Sequence, residues 1–139
     1  LLVNNNYDLY SQSVNGHIAP AYNGLLVNGH AYPVTATQTL SAASLLGQIL
    51  TIQGAGGYTL TLPSASAVLS LLNNPVSGLG FDFCISNNSS GTSTIADSAN
   101  STFQAAPAAK AALAANGFRI YKCVVGDPTG VATPSIFIY

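Results

Sequence analysis

Residues 58–74, YTLTLPSASAVLSLLNN, switch from one periodicity to another within two positions. Tyr58, Leu60 and Leu62 alternate with Thr59 and Thr61, the two-residue period of a half-buried strand. Pro63 ends that strand because it has no N–H to give a ladder. Ser64 then stands where a helix starting at Ala65 needs its N-cap. Val68, Leu69, Leu71 and Leu72 form a helical stripe, and Asn73-Asn74-Pro75 stops it. No residue of this helix is charged. A helix without charge implies an outer face that is covered, so Val68, Leu69, Leu71 and Leu72 are read as an oligomer interface.

The same alternation of short strand and turn extends both ways. Upstream, VTATQTL from Val34 reads as a strand, SAASLLGQ as a helical turn capped by Ser41 and ended by Gly47, and ILTIQ as a strand closed by the GAGG turn at 54–57. Downstream, GFDFCISN places Phe81, Phe83 and Ile85 on one strand face. TSTIA and STFQA follow as strands, and FRIYKCVV and PSIFIY close the chain. The Ala-rich run 106–117, with Pro107 near its start and Gly117 at its end, predicts a short helix. The expected fold is mainly β: a jelly-roll-like β-sandwich of about eight short strands with one or two short helices. It occupies residues 34–139. Residues 1–33, rich in Asn, Gly and Tyr, read as an extended N-terminal arm or linker.

Composition narrows the function. Of 139 residues only 5% are charged, against about 25% in ordinary soluble domains, while 48% are hydrophobic. No apolar run approaches the ~18 residues of a membrane span, so no membrane partner is expected. Three cations and a net charge of −1 cannot track a phosphate backbone, which excludes nucleic acid. The chain starts at Leu1 and holds no Met, and so reads as a processed product, a fragment or the ordered part of a longer protein.

Catalysis requires acids and bases that converge. His17 and His30 lie in the turn-rich arm and read as polar loop residues. No serine has the nucleophile-elbow context, and no His/Cys set has metal-ligand spacing, so neither an enzyme nor any cofactor or metal is expected. Asp82 and Arg119 both fall in strands, where a cross-strand pair between them is one arrangement. Cys84 and Cys123 admit two readings, a disulfide or two buried thiols. Tyr7, Tyr10, Tyr22 and Tyr32 in the arm suit packing against a neighbour, with stacking on sugar rings as the alternative. Glycosylation sequons at Asn87, Asn88 and Asn100 sit in the Asn/Ser-rich stretches where chance produces them.

Segments 40–51, 58–72, 80–87 and 92–95 together resemble a β module that ends fibre, spike and decoration proteins of tailed bacteriophages and large icosahedral viruses. That module runs LTA…LLGG-I-T, then Y-T-L-P-S-A followed by a helix, then G-D-S-F-x-F-x-I-x-N, then T-x-T and an apolar residue. The resemblance covers about residues 38–139 and departs at 105–116. It implies a non-enzymatic virion structural protein, a homotrimer on the virion surface. The arm would join major capsid or other virion proteins. The alternative is a carbohydrate- or receptor-binding, adhesin-like module contacting a host-surface glycan.

Overall fold

Short β-branched and aromatic runs, each cut by Gly, Asn or Ser, fold as nine strands in a computed structural model that describes residues 30–46, 48–107, 109–129 and 133–139. They are β1 (His30–Val34), β2 (Gln38–Thr39), β3 (Gln48–Ile52), β4 (Thr59–Thr61), β5 (Gly80–Asn87), β6 (Thr94–Ala96), β7 (Phe103–Ala105), β8 (Gly117–Val125) and β9 (Ile136–Ile138). Between them lie two short helices, α1 (Ala42–Leu45) and α2 (Ala65–Leu69), and a 3-10 turn (Ala99–Ser101).

The strands form two layers. A main sheet has the order β1-β3-β5-β8-β9-β7, and a small sheet the order β2-β4-β6. β1, β3 and β5 run parallel, as do β2, β4 and β6. The chain thus crosses from main sheet to small sheet, makes a helical corner and returns, three times over. The second and third passes are in step: Ile49 meets Cys84 and Leu60 meets Ile95, the same separation along the chain in both sheets. β8 then runs antiparallel to β5, and β9 antiparallel to β8.

A serine stands at each corner. Ser41 Oγ accepts from Ser44 N at 3.1 Å and Ser64 Oγ from Ala67 N at 3.3 Å, the capping bonds that start α1 and α2. At the third corner Ser98 Oγ accepts from Phe103 N at 2.8 Å. Behind the corners one continuous core fills the space between the sheets. Val34, Leu45, Leu50, Ile52, Leu60, Val68, Phe83, Phe103, Ile136 and Ile138 are wholly enclosed in it.

The two-layer, mainly β architecture is the one the sequence predicts, but its connectivity is not that of a jelly roll. Jelly rolls join antiparallel strands in Greek keys, whereas the first six strands here pair with one another only in parallel. Alternation decides which face a side chain takes and is silent about the direction of the neighbouring strand.

Four local expectations change. β1 takes in residues 30–33, so the main sheet begins before the boundary read between 33 and 34, and His30 opens a strand. Of VTATQTL only Gln38–Thr39 is strand after Val34. The described residues of the Ala-rich run from 106 to 116 form turns and no helix, because Leu113 is drawn into a β-bridge with Ser93, bonded both ways at 2.8 and 2.9 Å, and Gly117 already belongs to β8. Finally, α2 is shorter than the predicted helix, and Val68, Leu69 and Leu72 lie in the chain's own core. The stripe is the ordinary buried face of an amphipathic turn. Only Leu71 remains exposed, so Val68, Leu69 and Leu72 have no side-chain surface left to offer as an oligomer interface. The helix needs no charge on its wet side, where Ser66, Ala67 and Ser70 are small and Ser70 Oγ donates to Ala67 O at 2.9 Å.

Candidate interaction face

The antiparallel register of β5 with β8 decides which residues share a face. Directly opposed residues point the same way. Phe81, Phe83, Ile85 and Asn87 oppose Cys123, Tyr121, Arg119 and Gly117 on the inner face. Asp82, Cys84 and Ser86 oppose Lys122, Ile120 and Phe118 on the outer one.

The inner face is filled by rings. Phe83 and Tyr121, opposite one another, stack with centroids 5.0 Å apart, and Phe81 meets Phe103 edge-on. Burial raises the Tyr121 phenol above its ordinary pKa, against the opposing pull of Arg119. Arg119 lies 5.8 Å over the Tyr121 ring and donates to Ala111 O at 3.0 Å. Asp82 is bonded instead to Lys122, directly across from it, with Oδ2 to Nζ at 3.0 Å. An Asp82–Arg119 pair is excluded, because the two side chains leave opposite faces of the sheet.

The same parity separates the cysteines. Cys84 points outward and Cys123 inward; both are free thiols. Neighbouring strands cannot bridge sulfurs on opposite faces, so the disulfide reading is replaced by that of two buried thiols. Burial and then the Asp82 charge raise both thiols, Cys123 much the further. Neither is poised as a nucleophile.

The inward row Val34–Ile52–Asn87 ends in a polar residue that is fully buried. Asn87 Nδ2 donates to the carbonyls of Gly91, Leu113 and Ala114 at 2.9–3.0 Å. Its Oδ1 accepts from Ser89 N and Ser89 Oγ, at 3.1 and 2.7 Å. This latch fastens the 106–116 segment to the end of the main sheet, and a carboxamide so committed is closed to glycosylation. Beside it, Gly57 and Gly91 bring two corner loops into backbone contact with no room for a Cβ on either.

The outer face of the main sheet is different in kind. Ala31, Ile49, Cys84 and Ile120 form one apolar row across four strands. Phe118 flanks it next to Ser86, and Val124 pairs with Phe137 further along. Phe118 is 59% exposed, Ile120 51% and Tyr139 70%. Tyr139 follows Ile138 and donates its N–H to Lys122 O at 3.0 Å, which puts it beside Lys122 on this face by alternation. Of five large hydrophobic residues exposed among the described residues, these three share one surface; Leu71 and Val76 are the others. Exposed apolar side chains grouped on one sheet face make it the candidate interaction site.

The arm tyrosines Tyr7, Tyr10 and Tyr22 and His17 lie outside the described residues. Tyr32 points inward from β1 and packs against the core. Phe118, Ile120 and Tyr139 were not read as site residues from sequence. The signal was present in FRIYKCVV, which is apolar at both parities where a half-wet strand alternates. Among the described residues no three His, Cys, Asp or Glu side chains gather as a metal site, and no helix is long and apolar enough to cross a membrane. No protein-family model, curated protein or solved structure matches the chain.

Proposed function

We propose that this chain is a non-enzymatic structural protein of a virus particle, a homotrimeric fibre, spike or capsid-decoration domain at the virion surface. The observation that carries the reading is the outer sheet face, where Phe118, Ile120 and Tyr139 stand in water on a chain with 5% charged residues. A surface so apolar is sustained in an assembly, where sister copies or shell proteins cover it. The motif resemblance at 58–72 and 80–87 supplies the particle context. Residues ahead of β1 would join the domain to major capsid or other virion proteins.

Two measurements test this. Light scattering on the purified chain is expected to give about three times the 14.1 kDa of one copy. Gold-labelled antibody is expected on the surface of purified particles. A single copy at tens of micromolar, or particles that never bind the antibody, contradicts the reading.

A further inference from the structure

We infer that sister copies meet through the outer face of the main sheet, with β8 at the centre of the contact and Phe118, Ile120 and Tyr139 as its anchors. The inference rests on the assembly reading above and adds to it the surface used and the occupant.

The anchors are placed for this. Phe118 and Ile120 are next neighbours on one face of β8, and Lys122, the following residue on that face, has Tyr139 beside it. Around them lie Ile49, Cys84, Val124 and Phe137, each covered or half-covered. Large, stiff apolar side chains of this kind anchor specific contacts, and the Asp82–Lys122 pair, in the row between Ile120 and Val124, is satisfied within the chain.

Charge balance on this face favours an identical copy over a strongly charged partner. Foreign partners are usually selected by complementary potential. On this face the described acid and base, Asp82 and Lys122, satisfy each other at 3.0 Å and leave no net field for an acidic or a basic partner to match. A second copy presents the same balanced pair. The whole chain, at net −1, adds almost no repulsion between copies.

The area agrees. Six strands about 4.8 Å apart, with residues about 3.3 Å long, make a face of roughly 25 by 20 Å, on the order of 500 Å² per copy. Three such faces turned toward one threefold axis bury about 1,500 Å² in all, the area of a weak, concentration-dependent assembly. The contact is therefore sufficient for association and small enough to dissociate on dilution.

The test compares three forms of the full chain by light scattering at matched concentrations, with circular dichroism to verify folding. The unaltered chain is expected to be multimeric. Phe118→Lys with Ile120→Lys is expected to be a folded single copy, the dissociation constant raised roughly 100-fold or more. Leu71→Lys, equally exposed but on α2's side of the molecule, is expected to keep the multimeric mass. Should the double variant lose its strand signal, Ile120→Thr replaces it, since Thr keeps the β-branch while removing apolar area. An unaltered chain that assembles together with a face variant that also assembles overturns this inference and leaves the assembly reading standing. Dissociation by Leu71→Lys overturns it too. An unaltered chain that stays single overturns both.

Discussion

The two faces of β5 and β8 are made by the same strands, yet they obey different rules. On the inner face each side chain has a partner: Phe83 stacks on Tyr121, Phe81 touches Phe103, and Asn87 makes every bond its carboxamide offers. On the outer face β5 follows the pattern of a wetted strand, with Asp82 and Ser86, while β8 departs from it with Phe118 and Ile120. Folding the single chain requires the first set and not the second. On the assembly reading proposed above, what the exposed residues contribute is realised outside the chain.

The largest effects should therefore fall inside. Phe83→Ala is expected to lower the free energy of unfolding by about 3–5 kcal/mol in urea titrations, the usual result of emptying a packed aromatic site. Ile120→Thr, measured at a dilution where copies are apart, should change it by less than about 1 kcal/mol. Equal losses would erase the distinction between the faces.

Next comes the latch. Asn87→Ala strips partners from three carbonyls and from Ser89, and should cost about 3 kcal/mol. It should also raise amide exchange in 106–116 before the sheets are affected. Uniform exchange across the chain would show that the segment is held by something else.

The cysteines read the two faces directly. Cys123→Ser buries a hydroxyl in the core and should cost about 1–2 kcal/mol, with Cys84→Ser costing clearly less. In native protein a thiol reagent should modify Cys84 ahead of Cys123, and reductant should not shift the unfolding midpoint. A midpoint that falls with reductant would mean the sulfurs are bonded.

The smallest effects belong to the ion pairs. Burial pushes the Asp97 carboxyl upward, but the bonds from Lys110 Nζ at 2.8 Å and Ala105 N at 2.9 Å outweigh it and hold the group below its ordinary pKa. A carboxyl depressed by folding adds stability that is present above its unfolded pKa of about 3.9 and is lost as pH falls through the folded value. Lys110→Met should flatten that acid limb by under about 1 kcal/mol, since both partners are part exposed. On the outer face Lys122→Met should change stability by no more than a few tenths of a kcal/mol in the dissociated chain. A large loss there would mean that the outer face helps to hold the single fold together.

Much of this was legible in residue order because it is local. β5 falls on GFDFCISN as read, and Ser41 and Ser64 cap the helical turns that their neighbours predict. Caps and alternation act over a few residues, so they are written in a few residues. The parallel winding was not legible, since the partner of Ile49 is Cys84 and nothing near either names the other. The same limit explains 106–116, where Ala-richness favours a helix until Ser93 and Asn87, distant in sequence, capture Leu113. It also explains the stripe on α2. A charge-free helix and a covered helix look alike in sequence, and the cover here is the chain's own core. The exposed face could have been found by asking of each strand whether both parities are apolar, a test that β8 alone among the long strands meets.

Hydroxyl-radical footprinting of the full chain, followed by mass spectrometry across a hundredfold range of protein concentration, tests the central claim most directly. Modification of Phe118, Ile120 and Tyr139 should fall together as concentration rises, while Leu71 and Val76 hold constant. Labelling of the three anchors that stays high and flat, in a protein that is nevertheless folded, would show that the outer face meets water and not a sister copy.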